Sequence, residues 1–257
     1  MAATDGLNFG NPQEPTPAWQ FHHAVRGIAH ACEVLGTPVV SGNVSFYNQS
    51  SLGEVLPTPL IGVLGLIEDV TKAVGSVCAP GQRLYLIRYE HPEPRQGGLG
   101  ASSFLSSVHG VDAGVPVAPS LEAERHLDEA LVTWIASGDV QAAHDVSDGG
   151  LAVCLAEMTV TEGLGAEVDL DPIEGLAPES LLFGEWPGWV VVAASDASAE
   201  SLTQAAENSN LLIVKEIGRS TPEGRLIIRQ NNQVLVDVSA LNAQNWHKKC
   251  FDRVFKT

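Results

Sequence analysis

The sequence predicts an α/β chain with mixed sheets, in which an incomplete first domain precedes a complete second domain. Short apolar runs bounded by turn residues alternate with segments of helical spacing, which indicates strands and helices in alternation. A polar motif begins at Asp5, with no room before it for the strand or helix that usually precedes such a motif, so we expect the first domain to be truncated. Near Pro80-Gly81 the pattern changes, and we place the boundary between 1–76 and 77–257.

The first domain contains one predicted helix and two predicted strands. Apolar residues recur at helical spacing over Pro17 to Leu35, and Gly36 ends that segment. Pro38 to Ser41 has the character of a short buried strand, and Leu60 to Ile67 is an apolar strand in which Gly62 and Gly65 indicate close approach of another backbone. Two segments rich in Gly and Asn, one before the helix and one after the first strand, are expected to be loops.

The second domain has the predicted order β, α, α, β, α, β, β, β, which is typical of a mixed sheet with helices on one face. The predicted strands are Arg83 to Arg88, Gly188 to Ala194, Leu211 to Ile217, Arg225 to Arg229 and Gln233 to Val238. The predicted helices are Leu121 to Ser137, which Gly138 ends, Leu151 to Met158, and Ser198 to Asn208.

The charge balance excludes some classes of partner. The 257 residues include 14 Lys and Arg against 31 Asp and Glu, a formal net charge of −17. Nucleic acids and anionic membranes require a basic face, so neither is an expected partner. A phosphorylated substrate remains compatible, because Mg²⁺, glycine loops and helix N-termini hold phosphate in acidic proteins. The four cysteines form no CxxC pair, which favours free thiols in a cytoplasmic protein.

The segment from Asp5 to Pro12 is the first candidate site. It places a carboxylate, two amides and two glycines within eight residues. Asp5 offers a ligand for Mg²⁺ or an acceptor for a ribose or adenine group, and the glycines allow close approach of the backbone. The alternative is a cluster of Asx-turns that only shapes a connection.

A second candidate site, Gly42 to Ser45, follows a predicted strand, where ligand loops of α/β folds lie. The carbonyl oxygen of Asn43 suits a hard cation, and the hydroxyl of Ser45 suits a phosphate oxygen. The alternative is a plain turn at the end of the strand.

The third candidate site is His144 to Gly150, just before a predicted helix. Its side chains and backbone amides are those expected of an auxiliary nucleotide or metal loop, formed by Asp145, Ser147, Asp148, Gly149 and Gly150. Alternatively, Ser147 or Asp148 caps the helix and Asp145 braces the turn. We assign no catalytic residue here, because a lone His beside a helix cap is more often structural.

The order and spacing of these motifs resemble one family. Asp5-Gly-Leu-Asn-Phe-Gly-Asn-Pro12, Pro38-Val-Val-Ser-Gly-Asn-Val-Ser-Phe-Tyr-Asn48 and His144-Asp-Val-Ser-Asp-Gly-Gly150 are similar to blocks in the C-terminal half of phosphoribosylformylglycinamidine synthase subunit II. This subunit belongs to the superfamily related to aminoimidazole ribonucleotide synthase. The resemblance implies a first domain of the N-terminal synthase type and a second domain of the C-terminal type.

The resemblance also implies an activity and its residues. Members of the family are carbon–nitrogen ligases of purine biosynthesis. They use ATP and glutamine-derived ammonia to convert formylglycinamide ribonucleotide to formylglycinamidine ribonucleotide. By matching motifs, Asp5 and Gly42 would contact ATP, Asn43 would bind Mg²⁺ and Ser45 would contact the substrate. The implied partners are a glutamine amidotransferase subunit, a small third subunit and the missing N-terminal half of the subunit.

Departures from the family pattern limit the predicted activity. The family's catalytic histidine lies in a first half that has no counterpart here, so we expect the chain alone to be inactive. Phe183 to Trp189 resembles a family stretch that has a polar residue at the position of Trp186 and a basic residue at that of Trp189. The change suggests that Trp189 packs against another chain, or that the constraint on this position is relaxed. The alternative to a ligase portion is a nucleotide-binding or assembly module, or one half of a split subunit.

Overall fold

The computed structural model describes residues 1–90, 97–171, 173, 175–207, 209 and 211–255. The chain forms two compact units, Met1–Val70 and Thr71–Thr257. The boundary predicted from sequence, after residue 76, lies a few residues later.

The first unit is a three-stranded sheet with one long helix. Its elements are β1 (Ala2–Asn8), α1 (Pro15–Val34), β2 (Val39–Ser45), β3 (Gln49–Ser50), β4 (Gly53–Glu54) and β5 (Thr58–Leu64). The sheet order is β2-β1-β5, with β1 parallel to β2 and antiparallel to β5, while β3 and β4 form a small hairpin. The central strand β1 therefore carries hydrogen bonds on both edges.

Aromatic rings pack α1 against the ends of β1 and β2. Phe9 is fully buried and meets the ring of Phe21 edge-on at 5.4 Å between centroids. Phe21 in turn meets Phe46 at 4.9 Å. These contacts fix the ends of β1 and β2, which the sequence motifs span.

The second unit contains a seven-stranded sheet and six helices among its described residues. The strands are β6 (Arg83–Tyr89), β7 (Ala142–Asp145), β8 (Gly165–Asp169), β9 (Val190–Ala194), β10 (Leu212–Thr221), β11 (Arg225–Gln230) and β12 (Gln233–Ser239). The helices are α2 (Ser103–His109), α3 (Leu121–Ser137), α4 (Gly150–Thr159), α5 (Pro178–Phe183), α6 (Ala199–Glu207) and α7 (Ala240–Phe255). The strand order is β12-β11-β8-β10-β6-β9-β7, and neighbours are antiparallel except for β11 and β8.

Helices cover both faces of this sheet, so the prediction of helices on one face is wrong. Successive side chains of a strand point to opposite faces. Leu84 and Leu86 join a buried cluster with residues of α4 and α5, whereas Tyr85 and Ile87 join a second cluster with residues of α3 and α6. The interior strand β6 is thus apolar on both sides, as expected for a strand buried between two layers.

Several predicted elements are confirmed and others were missed. Helix α3 has the predicted bounds, and Gly138 ends it with φ +85°. Short elements such as β8 and α5 were not predicted, nor was the polar helix α7. The predicted end of helix α6, Asn208, lies outside the described residues. Within the described ranges no helix combines the length and apolar character needed to cross a membrane.

Candidate nucleotide and substrate site

Asp5 and Gly42 meet on neighbouring strands of the first unit. The parallel pairing of β1 and β2 sets Asp5 opposite Gly42. The Asp5 carboxylate lies directly over Gly42, in the space that a Cβ atom would fill. The structure therefore brings together two of the four predicted site residues.

The expectation that these motifs are loops is wrong, because Asp5 lies within β1 and Gly42 to Ser45 lies within β2. Gly and Asn disfavour strands in general, but such preferences yield to context. Here β1 pairs along both edges, and the missing side chain of Gly42 admits the Asp5 carboxylate. Only the polar segment from Phe9 to Pro12 follows its strand as a connection.

Asn43 and Ser45 lie on the opposite face of this sheet from Asp5. Asn43 pairs with Gly6, and a Cβ on Gly6 would be 3.5 Å from the Asn43 Oδ1. Because side chains alternate along a strand, Asn43 and Ser45 share one face and Asp5 the other. Asn8 pairs with Ser45 and so shares this face, which offers the amide oxygens of Asn43 and Asn8 but not the Asp5 carboxylate, fewer oxygens than octahedral Mg²⁺ takes.

The Ser45 hydroxyl is held by Asn48. Ser45 Oγ donates to Asn48 Oδ1 at 3.2 Å, and Asn48 Nδ2 donates to the carbonyl oxygens of Ser45 at 2.9 Å and Phe9 at 3.1 Å. The backbone N–H of Asn48 also donates to the Phe9 oxygen at 3.2 Å. Asn48 thus joins the ends of β1 and β2 at the predicted substrate-contacting group.

Glu54 of the β3–β4 hairpin holds the segment after β1. Its carboxylate accepts from the Asn11 N–H at 3.2 Å and lies against Gly10, within 2.9 Å of where a Cβ would stand. Sequence reasoning missed Glu54 and gave Asn48 no role. The spacing of polar residues in the sequence does not predict the contacts of Glu54 or Asn48, because each contact depends on where the chain reverses direction.

The third motif spans strand β7 and the start of α4. The N-cap of α4 is Gly149, with φ +83° and no side-chain cap, so the prediction that Ser147 or Asp148 caps this helix is wrong. The Gly149 N–H instead donates to Glu185 Oε1 at 3.1 Å, and the same oxygen accepts from Ser103 N–H at 2.8 Å. One carboxylate therefore satisfies backbone donors at the starts of both α4 and α2.

His144 braces β7 against α4. Its Nδ1 lies 2.8 Å from the Asp145 carbonyl oxygen, and its Nε2 lies 3.2 Å from Glu157 Oε2. A neutral imidazole carries one N–H and can donate to only one of these two acceptors, and the two contacts place the ring between β7 and α4.

A cavity of about 380 Å³ lies beside this motif within the second unit. Its polar lining is mostly acidic and includes Glu124, Asp128, Asp145, Ser147, Asp148 and Glu185. Burial raises the pKa of Glu124 and of Asp128. Among the described residues no group of three or more His, Cys, Asp or Glu is placed to hold a metal ion. The auxiliary nucleotide or metal loop stays a prediction that this acidic wall does not favour.

Two tryptophans form the apolar wall of the same cavity. Trp186 and Trp189 stack with centroids 5.3 Å apart, and Arg88 lies over the Trp189 ring at 5.7 Å. Both indoles are at least 97% buried. The suggestion that Trp189 packs against another chain is therefore wrong, since its ring is already covered within this unit.

Comparisons with known proteins assign the family. The C-terminal domain model of the AIR synthase related proteins matches residues 79–231, and the N-terminal domain model matches residues 1–67. The chain belongs to this family. The expected pairing of the two synthase domain types is confirmed.

Curated proteins similar to this chain are much longer than it. It is 40% identical over 240 residues to phosphoribosylformylglycinamidine synthase subunit PurL of Moorella thermoacetica, which covers 93% of this chain and 32% of that protein. The subunit PurL of Deinococcus radiodurans is 42% identical over 204 residues, 77% of this chain and 27% of that protein. The chain thus spans about a third of these relatives, and the resemblance to this subunit is confirmed.

Solved structures share the fold. The structure of T. maritima PurL complexed with FGAR superposes with a TM-score of 0.74 at 22% identity and covers 95% of this chain and 39% of that one. At this identity the likeness supports the α/β fold of both units and nothing finer.

Proposed function

We propose that this chain forms part of a phosphoribosylformylglycinamidine synthase, a ligase that consumes ATP. The observation that carries the proposal is the 40% identity over 240 residues to a subunit of that enzyme. In the reaction that the family resemblance implies, the substrate's amide oxygen attacks the γ-phosphate of ATP and releases ADP. Ammonia then adds to the activated carbon and phosphate leaves.

The residues of β1 and β2 would form one wall of the site. Asp5, whose carboxylate lies over Gly42, would accept a hydrogen bond from an adenine amine or a ribose hydroxyl of ATP. Asn43 would give one oxygen to Mg²⁺, which neutralises phosphate charge when bound, and the remaining ligands would come from outside this chain. Ser45 would contact the ribonucleotide substrate.

The proposal is tested by complementation. We expect the purified 257-residue chain to give no product with ATP, Mg²⁺, formylglycinamide ribonucleotide and ammonium. Addition of a relative's polypeptide that lacks only the matching segment should restore release of ADP. Asp5→Asn should lower the restored rate at least tenfold, since a contact to a charged group is lost. Asp112→Asn, in an exposed loop, is the matched control.

Two results would contradict the proposal. Turnover by the chain alone would show that no further catalytic residues are required. Absence of both restored turnover and ATP binding would remove the ligase role.

An assembly module is the second candidate, favoured by the exposed apolar surface of the first unit. On β5 the side chains of Leu60, Val63 and Leu64 are 60–70% exposed, and Val40 of β2 is similarly exposed. β2 and β5 are also the edges of their sheet. Apolar side chains on unpaired edges are typical of surfaces that pair with another chain.

Size-exclusion chromatography with light scattering distinguishes the two candidates. A stable complex with the complementary polypeptide that neither binds ATP nor turns over would support the assembly module. A complex with restored turnover would support the ligase portion.

A further inference from the structure

The contacts of Asn48 determine which way its amide group points. Its Nδ2 lies 3.1 Å from the Phe9 oxygen and 2.9 Å from the Ser45 oxygen, both of which only accept. A reversed amide would place Oδ1 against these two carbonyl oxygens and lose both bonds. Nδ2 therefore faces the backbone, and Oδ1 faces the Ser45 hydroxyl.

In this orientation the hydroxyl proton of Ser45 is donated to Asn48. Asn48 Oδ1 carries no hydrogen, so in the 3.2 Å contact the Ser45 hydroxyl is the donor. A hydroxyl has one proton and two lone pairs, so Ser45 Oγ is left as an acceptor. Ser45 is partly exposed, and a ligand on this face of the sheet can reach it.

We propose that Asn48 is a positioning residue that fixes Ser45 as a hydrogen-bond acceptor. The ligand group that meets Ser45 is then an N–H or O–H donor, such as an amide or ribose hydroxyl, and not a phosphate oxygen. This inference rests on the proposed function and reverses the phosphate contact expected from sequence. A phosphate monoester is mostly dianionic at neutral pH, so its oxygens act as acceptors, whereas amides and hydroxyls always carry a proton.

Two probes separate the ligand groups. Formylglycinamide ribonucleotide and its dephosphorylated riboside differ only in phosphate. Calorimetric titration of the 257-residue chain should show that Ser45→Ala weakens both probes by the same factor, about fivefold to tenfold. Ser50→Ala, an exposed serine in the same unit, is the matched control and should change neither affinity. Weakening of the ribonucleotide alone would overturn the proposal.

A second readout tests Asn48 without any ligand. In nuclear magnetic resonance spectra, both side-chain N–H protons of Asn48 should exchange with water at least tenfold more slowly than those of Asn231, in the β11–β12 turn. Exchange as fast as that of Asn231 would overturn the proposal whatever the function. Slow exchange in a chain that binds neither probe, alone or with the complementary polypeptide, would contradict the proposed function and leave Ser45 fixed as an acceptor.

Asn48→Ala checks that the two residues act together. Without Asn48 the Ser45 hydroxyl rotates freely, so Ser45→Ala should cost less than twofold in affinity for the riboside in that background. An undiminished effect of Ser45→Ala would show that Asn48 does not position Ser45.

Discussion

At the residue scale, the contact between Asp5 and Gly42 explains why this position of β2 holds a glycine. Gly42 has an ordinary strand backbone, so its conformation alone would admit any residue. What excludes a side chain is the Asp5 carboxylate, which occupies the place of the Cβ. The glycine and the carboxylate therefore depend on each other, and a change at one affects the other.

Gly42→Ala should destabilise the chain by about 1–3 kcal/mol, because its methyl group overlaps the Asp5 carboxylate and forces it to move. Urea unfolding measures the change. Gly65→Ala, where an added Cβ meets no atom within 4 Å, is the matched control and should be neutral. If Asp5→Ala removes most of the penalty of Gly42→Ala, the two residues are coupled as described. An unchanged penalty would assign it to the β1 backbone.

At the element scale, Glu185 joins the starts of α2 and α4 through one carboxylate oxygen. Among the described contacts, Glu185 is the side-chain acceptor of both the Ser103 N–H and the Gly149 N–H. Such a bridge orients the turn that contains Ser147 and Asp148. The acidic cavity beside that turn therefore owes part of its shape to a residue of another segment.

Glu185→Ala should lower the free energy of unfolding by about 1.5–3 kcal/mol, since hydrogen bonds to a charged acceptor are lost. Glu185→Gln keeps a neutral acceptor and should cost about half as much. Hydrogen exchange should show reduced protection at the amides of Ser103 and Gly149. Glu223→Gln, in the β10–β11 turn, should change neither quantity. Unaltered exchange at both amides in Glu185→Ala would contradict the bridge.

Asp196, which follows β9, forms ion pairs with Arg83 of β6 and Arg219 of β10. These pairs should make the stability of the chain depend on pH. Hydrogen bonds from Arg219 and then Arg83 lower the pKa of Asp196 to about 2. A depressed carboxyl pKa adds stability above the unfolded value of about 3.9, and this is lost as pH falls toward 2. Asp196→Asn should make stability fall less steeply between pH 4 and pH 2, as measured by thermal unfolding. Salt at 0.5 M should shrink the difference because the site is exposed, and an identical acid slope would contradict the pairing.

Sequence patterns predict the elements with strong local signals and miss others, such as the 16-residue polar helix α7 and strands that depend on distant contacts. Helix α3 has a wide apolar face and a terminal glycine, both local signals, and its bounds were predicted correctly. The sequence predicts β1 and the Gly42 to Ser45 part of β2 as loops, because their glycines and asparagines are exceptions that only cross-strand pairing explains. Of the candidate site, residue identities came from motifs, whereas the opposite faces of Asp5 and Asn43 followed only from strand register.

At the scale of the whole molecule, the two units differ in how much apolar surface they bury. The second unit has two buried clusters, one on each face of its sheet. The first unit buries few large apolar side chains, chiefly Leu7 and Phe9, and exposes many on β2 and β5. Burial of apolar surface is the main favourable term in folding, so the two units should differ in stability.

We therefore expect residues 71–257 expressed alone to unfold cooperatively, with a midpoint within about 3 °C of the main transition of the full chain. Residues 1–70 alone should aggregate or unfold without a cooperative transition, because a three-stranded sheet with exposed apolar strands lacks a core of its own. Calorimetry of the three polypeptides measures both expectations. Val63→Lys and Leu60→Lys in 1–70 should increase its solubility, since both replace side chains that are more than 60% exposed. A cooperative, monomeric 1–70 would contradict the need for a covering partner, and failure of 71–257 to fold would show that the second unit depends on the first.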